Sequence, residues 1–223
     1  MPGLYGDLRN LALNAGFEIW NQATIASTSN GVAGDLWVIG LGTGSTYIAS
    51  RASTGMDQGT FCCGISYTHT VLSDLHQVAN VLNDLKGQTL SFGIRVASAT
   101  AGAVYPFVST DGGTTKTYGN GNTGAGASTY ETLKVEGIAV PSTATAVWYG
   151  VELRKTATIL LDTAALNLGS AVDTAPGPMF GKSPAWTQTS GASNRAIDMT
   201  LAVPSGNTAV AQWIGTLVRD LQQ

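Results

Sequence analysis

The chain has 223 residues, 28 of them glycine, with 11% charged residues and a formal net charge of −3. This length suits one large all-β domain, or one domain with an extension, and buries a sizeable core without staples. Its scattered basic residues argue against a phosphate-binding face for nucleic acid, and no apolar run reaches membrane-spanning length. Glycine, serine and threonine between short apolar alternations are the composition of sandwiches and barrels rather than helix bundles.

Residues 1–13 form a lead-in arm with Leu4, Leu8, Leu11 and Leu13 and little solvent-seeking charge. A free arm is usually more polar, so this one is expected to lie on something. The first 14 residues also lack the apolar stretch of a signal peptide, so the expectation is a protein made in a cytoplasm that stays soluble. Asn14-Ala15-Gly16 reads as a turn, and Phe17 to Asn21 as the first alternating strand. Leu36 to Leu41 and Thr46 to Ala52 follow. From Thr60 to Thr68, residues Phe61, Cys63, Ile65 and Tyr67 alternate with Cys62, Gly64, Ser66 and Thr68, the period of a half-buried strand. Cys62 and Cys63 therefore point to opposite faces and make neither a disulfide framework nor a zinc site.

Leu75 to Leu85 reads either as a helix, from the spacing of Leu75, Val78, Leu82 and Leu85, or as a bent strand. Leu90, Phe92, Ile94 and Val96 alternate cleanly with polar or small residues. Val104 to Ser109 carries Pro106, a mark of a sheet edge. Thr110 to Ser128 is a long polar excursion. Within it, Ser109 to Thr115 has the form of the Asp-box turn of sialidases, with Lys116 where tryptophan is usual, and signifies a hairpin. Tyr130 to Val140, Ala146 to Arg154 and Thr158 to Leu168 complete the strands. About ten strands with no βαβ alternation predict an antiparallel sandwich. Residues 173–223 read as a linker with Pro176, Pro178 and Pro184, then a short amphipathic helix. Val210, Trp213, Ile214, Leu217, Val218 and Leu221 make one apolar stripe on that helix.

Four ordered motifs share a further meaning. They are Asn14 to Trp20; Ala33, Asp35 and Trp37; Lys86-Gly87-Gln88-Thr89-Leu90-Ser91-Phe92; and Leu160-Leu161-Asp162 through Leu168-Gly169. Together they resemble the carbohydrate-binding-module-like jelly rolls of tailed-phage virion proteins, over residues 14 to about 170. The resemblance implies an antiparallel jelly-roll β-sandwich over 14–172, between the arm and the C-terminal extension. It also implies a structural calcium, because Glu18 and Asp162 match positions that help hold calcium in related modules. With no acidic cluster around either residue, the plainer reading of Glu18 is a polar strand residue.

Trp20, Trp37, Trp148 and Tyr118 are the aromatic candidates for stacking on a sugar, although each tryptophan taken singly reads first as scaffold. The two histidines, His69 and His76, have Asp74 nearby, but no Gly-x-Ser-x-Gly elbow and no singled-out carboxylate pair accompany them. The expectation is therefore not an enzyme and needs no catalytic cofactor. The functional expectation is a virion surface protein, assembled in the host cytoplasm. It would be a capsid decoration or cement protein that docks on other virion proteins through its termini. Leu4, Leu8, Leu11, Val210, Trp213, Ile214, Leu217 and Leu221 would be its docking and homotrimer contacts, with no membrane insertion. The alternative is a tail-appendage or receptor-binding module that recognises host surface glycans.

Overall fold

The computed structural model describes residues 10–13, 15–20, 24–32, 36–57, 60–79 and 82–172. Its elements in chain order are β1 (Thr24–Ser27), β2 (Gly31–Val32), β3 (Val38–Gly40), β4 (Thr46–Ala52), β5 (Cys62–Thr68), β6 (Ser73–Val78), α1 (Leu82–Leu85), β7 (Thr89–Ser98), β8 (Val104–Ser109), β9 (Thr117–Tyr118), β10 (Gly126–Ala139), β11 (Trp148–Leu153) and β12 (Ala157–Leu168). They form two six-stranded sheets, ordered β1-β4-β5-β12-β7-β10 and β2-β3-β6-β11-β8-β9. Every strand pair is antiparallel. Strands remote in sequence, such as β5 and β12 or β6 and β11, lie side by side, as in a jelly-roll sandwich.

The period-two pattern decides what is buried. Cys63, Ile65 and Tyr67 of β5 face inward, as do Leu90, Phe92, Ile94 and Val96 of β7. Tyr149, Val151 and Leu153 of β11 meet them from the second sheet. On β12 the phase changes midway: Ile159 and Leu161 point inward, then Ala164 and Leu166. A register shift between Asp162 and Ala164, with Thr163 at φ 29°, supplies the odd residue that makes this switch.

The β12–β5 pairing ends at Leu161, and residues near the N-terminus take over beside β12. Leu11 N donates to the Leu166 carbonyl (2.9 Å), and Ala164 N donates to the Ala15 carbonyl (2.7 Å). The Asn10 side chain bonds both Ala164 O and Leu166 N. Leu11 packs partly buried on the core of the sandwich itself. Leu4 and Leu8 of the docking set lie outside the described residues, as does the whole segment 173–223 with Val210, Trp213, Ile214, Leu217 and Leu221.

The expected first strand at Phe17 is not one. Residues 15–20 are turn and irregular chain, and Phe17 has a positive φ of 54°. That backbone turns its ring into the core, stacked on Trp37 at 4.9 Å, while Ile19 is 59% exposed. The two residues therefore do not share a face, as strand alternation required. The ambiguous stretch from Leu75 to Leu85 resolves into both readings in succession, strand β6 and then the single turn α1.

Candidate functional site

The outward residues of the second sheet come from five strands. Cross-strand pairing sets Trp148 opposite Val78 and Ser109, Gly150 opposite His76 and Phe107, and Glu152 opposite Asp74 and Tyr105. At one flank Val38 pairs with His76, and at the other Phe107 pairs with Tyr118. The alternation that sends Tyr149, Val151 and Leu153 inward therefore sends Trp148 and Glu152 out onto this face.

Its remaining members arrive through the β8–β9 hairpin. Asp111 Oδ1 accepts from Thr115 N at 2.8 Å and from Ser109 Oγ at 2.8 Å. Ser109 Oγ in turn accepts from Gly113 N at 2.9 Å. This is the turn expected from the Ser109 to Thr115 sequence. It lays Gly113 against Trp148, where an added Cβ would lie 2.7 Å from ring atom Cε3. It also delivers Lys116 and Tyr118 over the sheet.

Here Lys116 joins two carboxylates. Its Nζ donates to Asp74 Oδ2 at 2.7 Å and to Glu152 Oε2 at 3.2 Å. Tyr118 OH donates to the same Glu152 oxygen at 2.6 Å, and Arg154 Nε to the other at 2.8 Å. His76 Nδ1 lies 2.6 Å from Asp74 Oδ1. All four carboxylate oxygens thus have donors. The Arg154 guanidinium also lies over the rings of Tyr105 (3.9 Å) and Tyr118 (4.5 Å). Such planar cation–ring stacking is favourable and orients the guanidinium.

The electrostatics follow from this geometry. Burial alone would raise the Asp74 pKa, but hydrogen bonds from His76 and Lys116 more than offset it and hold the carboxyl below its ordinary value. Burial would lower Lys116, yet Asp74 and Glu152 raise it. Burial and the bond to Glu152 both push the Tyr118 hydroxyl up. Each charge is locally matched, which is the condition for keeping ions in a partly dry place.

Beside this polar half lies an apolar half. Val38 is 38% exposed and Val78 44%. Trp148, half-buried, lies across from Val78, with its ring stacked at 4.1 Å and nearly parallel on His76, the residue across from Val38. Trp148 and Tyr118 are therefore brought to one face, as members of a larger set. Asp74, His76, Tyr105, Lys116, Glu152 and Arg154 complete it. The alternation around Trp148 is the one local sign of this set; which strands lie beside it is a matter of topology.

The other aromatic candidates lie elsewhere. Trp37 is fully buried between Phe17 and Tyr149 and has no surface to offer a sugar. Trp20 packs against the core, and its Nε1 donates to the Phe17 carbonyl. Glu18 and Asp162 both lie by the segment that leads into β5. Glu18 Oε1 accepts from Thr60 N (2.7 Å) and Phe61 N (3.2 Å). Asp162 Oδ2 accepts from Asp57 N (2.9 Å), and its Oδ1 from Thr163 N (2.7 Å). Among the described residues, no group of three His, Cys, Asp or Glu side chains comes together as a metal site.

No family model matches the chain, and no curated protein matches it. Solved structures do match in shape. One is the C-terminal family 22 carbohydrate-binding module of Clostridium thermocellum Xyn10B, 15% identical, covering 71% of this chain and 94% of that one, with a TM-score of 0.46. Another is the module TmCBM61 in complex with β-1,4-galactotriose, 16% identical, covering 72% of this chain and 99% of that one, with a TM-score of 0.47. A third is the enzymatically active domain of bacteriophage CBA120 tailspike protein 4, 10% identical, covering 72% of this chain and 21% of that one, with a TM-score of 0.42. The class assigned to this chain, an antiparallel jelly-roll β-sandwich, rests on its own strand order and pairing.

Proposed function

We propose that this chain is a carbohydrate-recognition jelly roll that reads a glycan with the outer face of its second sheet. We further propose that it serves a tailed-phage virion as a tail-appendage or receptor-binding module. The observation that supports recognition is the amphipathic character of that face. Val38, Val78 and Trp148 are apolar and partly exposed, and adjoin the ordered cluster of Asp74, Lys116, Tyr118, Glu152 and Arg154. A pyranose ring has an apolar C–H face and a rim of hydroxyls, each able to donate and accept. Such a ligand suits an apolar strip bordered by fixed donors and carboxylates. Side chains already held by one another lose little freedom on binding, which favours affinity.

In this reading the chain binds and does not catalyse. Asp74 is engaged with both His76 and Lys116, and the cluster serves as a binding platform. Attachment to other virion proteins, and a trimer that would multiply weak sugar contacts, belong to the same proposal. The capsid-decoration expectation, the main reading of the sequence, draws on the arm 1–13 and on 173–223. Residues 1–9 and 173–223 lie outside the described residues, and Leu11 of the arm packs on the sandwich itself, so the described residues favour the recognition alternative.

Affinity electrophoresis and calorimetry against a panel of bacterial surface polysaccharides and neutral β-glycans test the reading. A retarded band is expected with at least one polymer. Tyr118→Ala and Arg154→Ala should each weaken binding by ~10-fold or more, at about 1.4 kcal/mol per tenfold. Binding that survives both substitutions, or none to any polymer at millimolar sugar, overturns it.

A further inference from the structure

The calcium that the resemblance implies does not fit the residues that would hold it. A calcium ion takes six to eight oxygens, several of them from carboxylates. Here the carboxylates near β5 already accept hydrogen bonds from this chain's own donors. Asp162 uses Oδ2 on the Asp57 amide and Oδ1 on both the amide and the hydroxyl of Thr163. Glu18 Oε1 accepts from two successive amides, Thr60 and Phe61. Asp57 gives both oxygens to one guanidinium, Oδ2 to Arg95 Nε at 2.5 Å and Oδ1 to Arg95 Nη2 at 3.1 Å.

That guanidinium is in turn fixed by the sheet. Arg95 on β7 lies directly across from Asp162 on β12, on the same outward face. Its Nη1 donates to Thr132 Oγ1 of β10 at 2.9 Å. A second arginine, Arg51 of β4, lies over the Phe61 ring at 4.3 Å. Asp57 is therefore gripped twice, through its amide by Asp162 and through its side chain by Arg95. A bidentate guanidinium–carboxylate pair with a third anchor has a fixed geometry, which lysine does not reproduce.

We propose that Arg95 is the resident cation of this site. It clamps Asp57 to the outer face of the first sheet, and this end of the sandwich closes without a divalent metal. The inference is independent of the glycan reading. It predicts a fold, and any activity the fold carries, that does not respond to free calcium.

Thermal unfolding and calcium calorimetry on the full chain test it. The wild type should show the same Tm in millimolar calcium and in EDTA, with no saturable heat of calcium binding. Arg95→Met should lower Tm by roughly 5 °C or more, because it leaves Asp57 without its cation. Arg95→Lys should recover only part of the loss. Should Arg95→Met fail to fold, Asp57→Asn keeps the shape, removes the ion pair and should speed limited proteolysis near residue 57. A wild-type Tm that rises with calcium, or saturable calcium binding lost in Asp57→Asn, overturns the proposal. So does an Arg95→Met protein with unchanged Tm and unchanged cleavage.

Discussion

The outer faces of the two sheets each carry carboxylates held by this chain's own donors, and the donors differ in kind. At the first sheet, Asp162 of β12 and the neighbouring Glu18 bond the backbone amides of Asp57, Thr60 and Phe61. On the second, among the described residues, Asp74 and Glu152 bond the heads of side chains, those of His76, Lys116, Tyr118 and Arg154. An amide held by a carboxylate fixes the path of the chain. A side-chain head held by a carboxylate stays available at the surface, where it can share its bonds with a ligand. The first network is scaffold, and the second is a surface prepared to bind.

Removing one carboxylate from each network should separate the two roles most sharply. Glu152→Ala leaves Arg154 without its acceptor and Lys116 with Asp74 alone, at a site where the Glu152 side chain is 4% exposed. A loss of about 3 kcal/mol is expected, because Lys116, Tyr118 and Arg154 each lose a charged acceptor, with sugar affinity lost as well. Denaturant unfolding and affinity electrophoresis measure both. Asp162→Ala frees the Asp57 amide and should cost about 2–3 kcal/mol while leaving sugar affinity as it was. Equal losses of affinity in the two variants would erase the distinction.

A smaller effect is expected at the turn that carries Lys116 and Tyr118. Gly113 has φ +86°, and a Cβ there would meet Trp148 at 2.7 Å. Gly113→Ala should cost about 1–2 kcal/mol through the left-handed backbone and the displaced ring. Tryptophan fluorescence would report the displacement, and an unchanged spectrum with unchanged stability would contradict this packing.

The smallest effect concerns acid. The folded Asp74 carboxyl lies below its ordinary value, so as pH falls the unfolded chain takes up this proton first. Its contribution is complete above the unfolded value and is lost as pH falls through the lower folded one. Asp74→Asn should therefore unfold with a shallower pH dependence than the wild type below about pH 4. Parallel acid-unfolding curves would show that Asp74 is not held in this way.

Much of the strand pattern is legible in the amino-acid sequence. Thr46 to Ala52 matches β4 residue for residue, and the inward set of β7 is the alternation of Leu90, Phe92, Ile94 and Val96. The hairpin at Ser109 to Thr115 is legible too, because serine and aspartate side chains bond nearby amides whatever surrounds them. Phe17 escapes the pattern because alternation cannot register a single positive φ, which hides an aromatic ring in a turn. The edge strands β1, β2 and β9 escape it because segments of two to four residues carry almost no period.

The recognition face is visible in sequence only as fragments. Trp148 and Glu152 share one side of a strand by periodicity alone, while Lys116 and Tyr118 fall in a stretch that reads only as a hairpin and polar excursion. Their meeting depends on β11 lying between β6 and β8, with β9 beyond. By itself, then, the amino-acid sequence determined an antiparallel sandwich, its inward residues and one side-chain-capped hairpin, since these follow from periods and local bonds. Tertiary structure alone decided that Asp74, Lys116, Glu152 and Arg154 neutralise one another beside exposed valines, and that Arg95 faces Asp162. Cross-strand neighbours are set by strand order and register, and both arise from contacts between residues far apart in the chain.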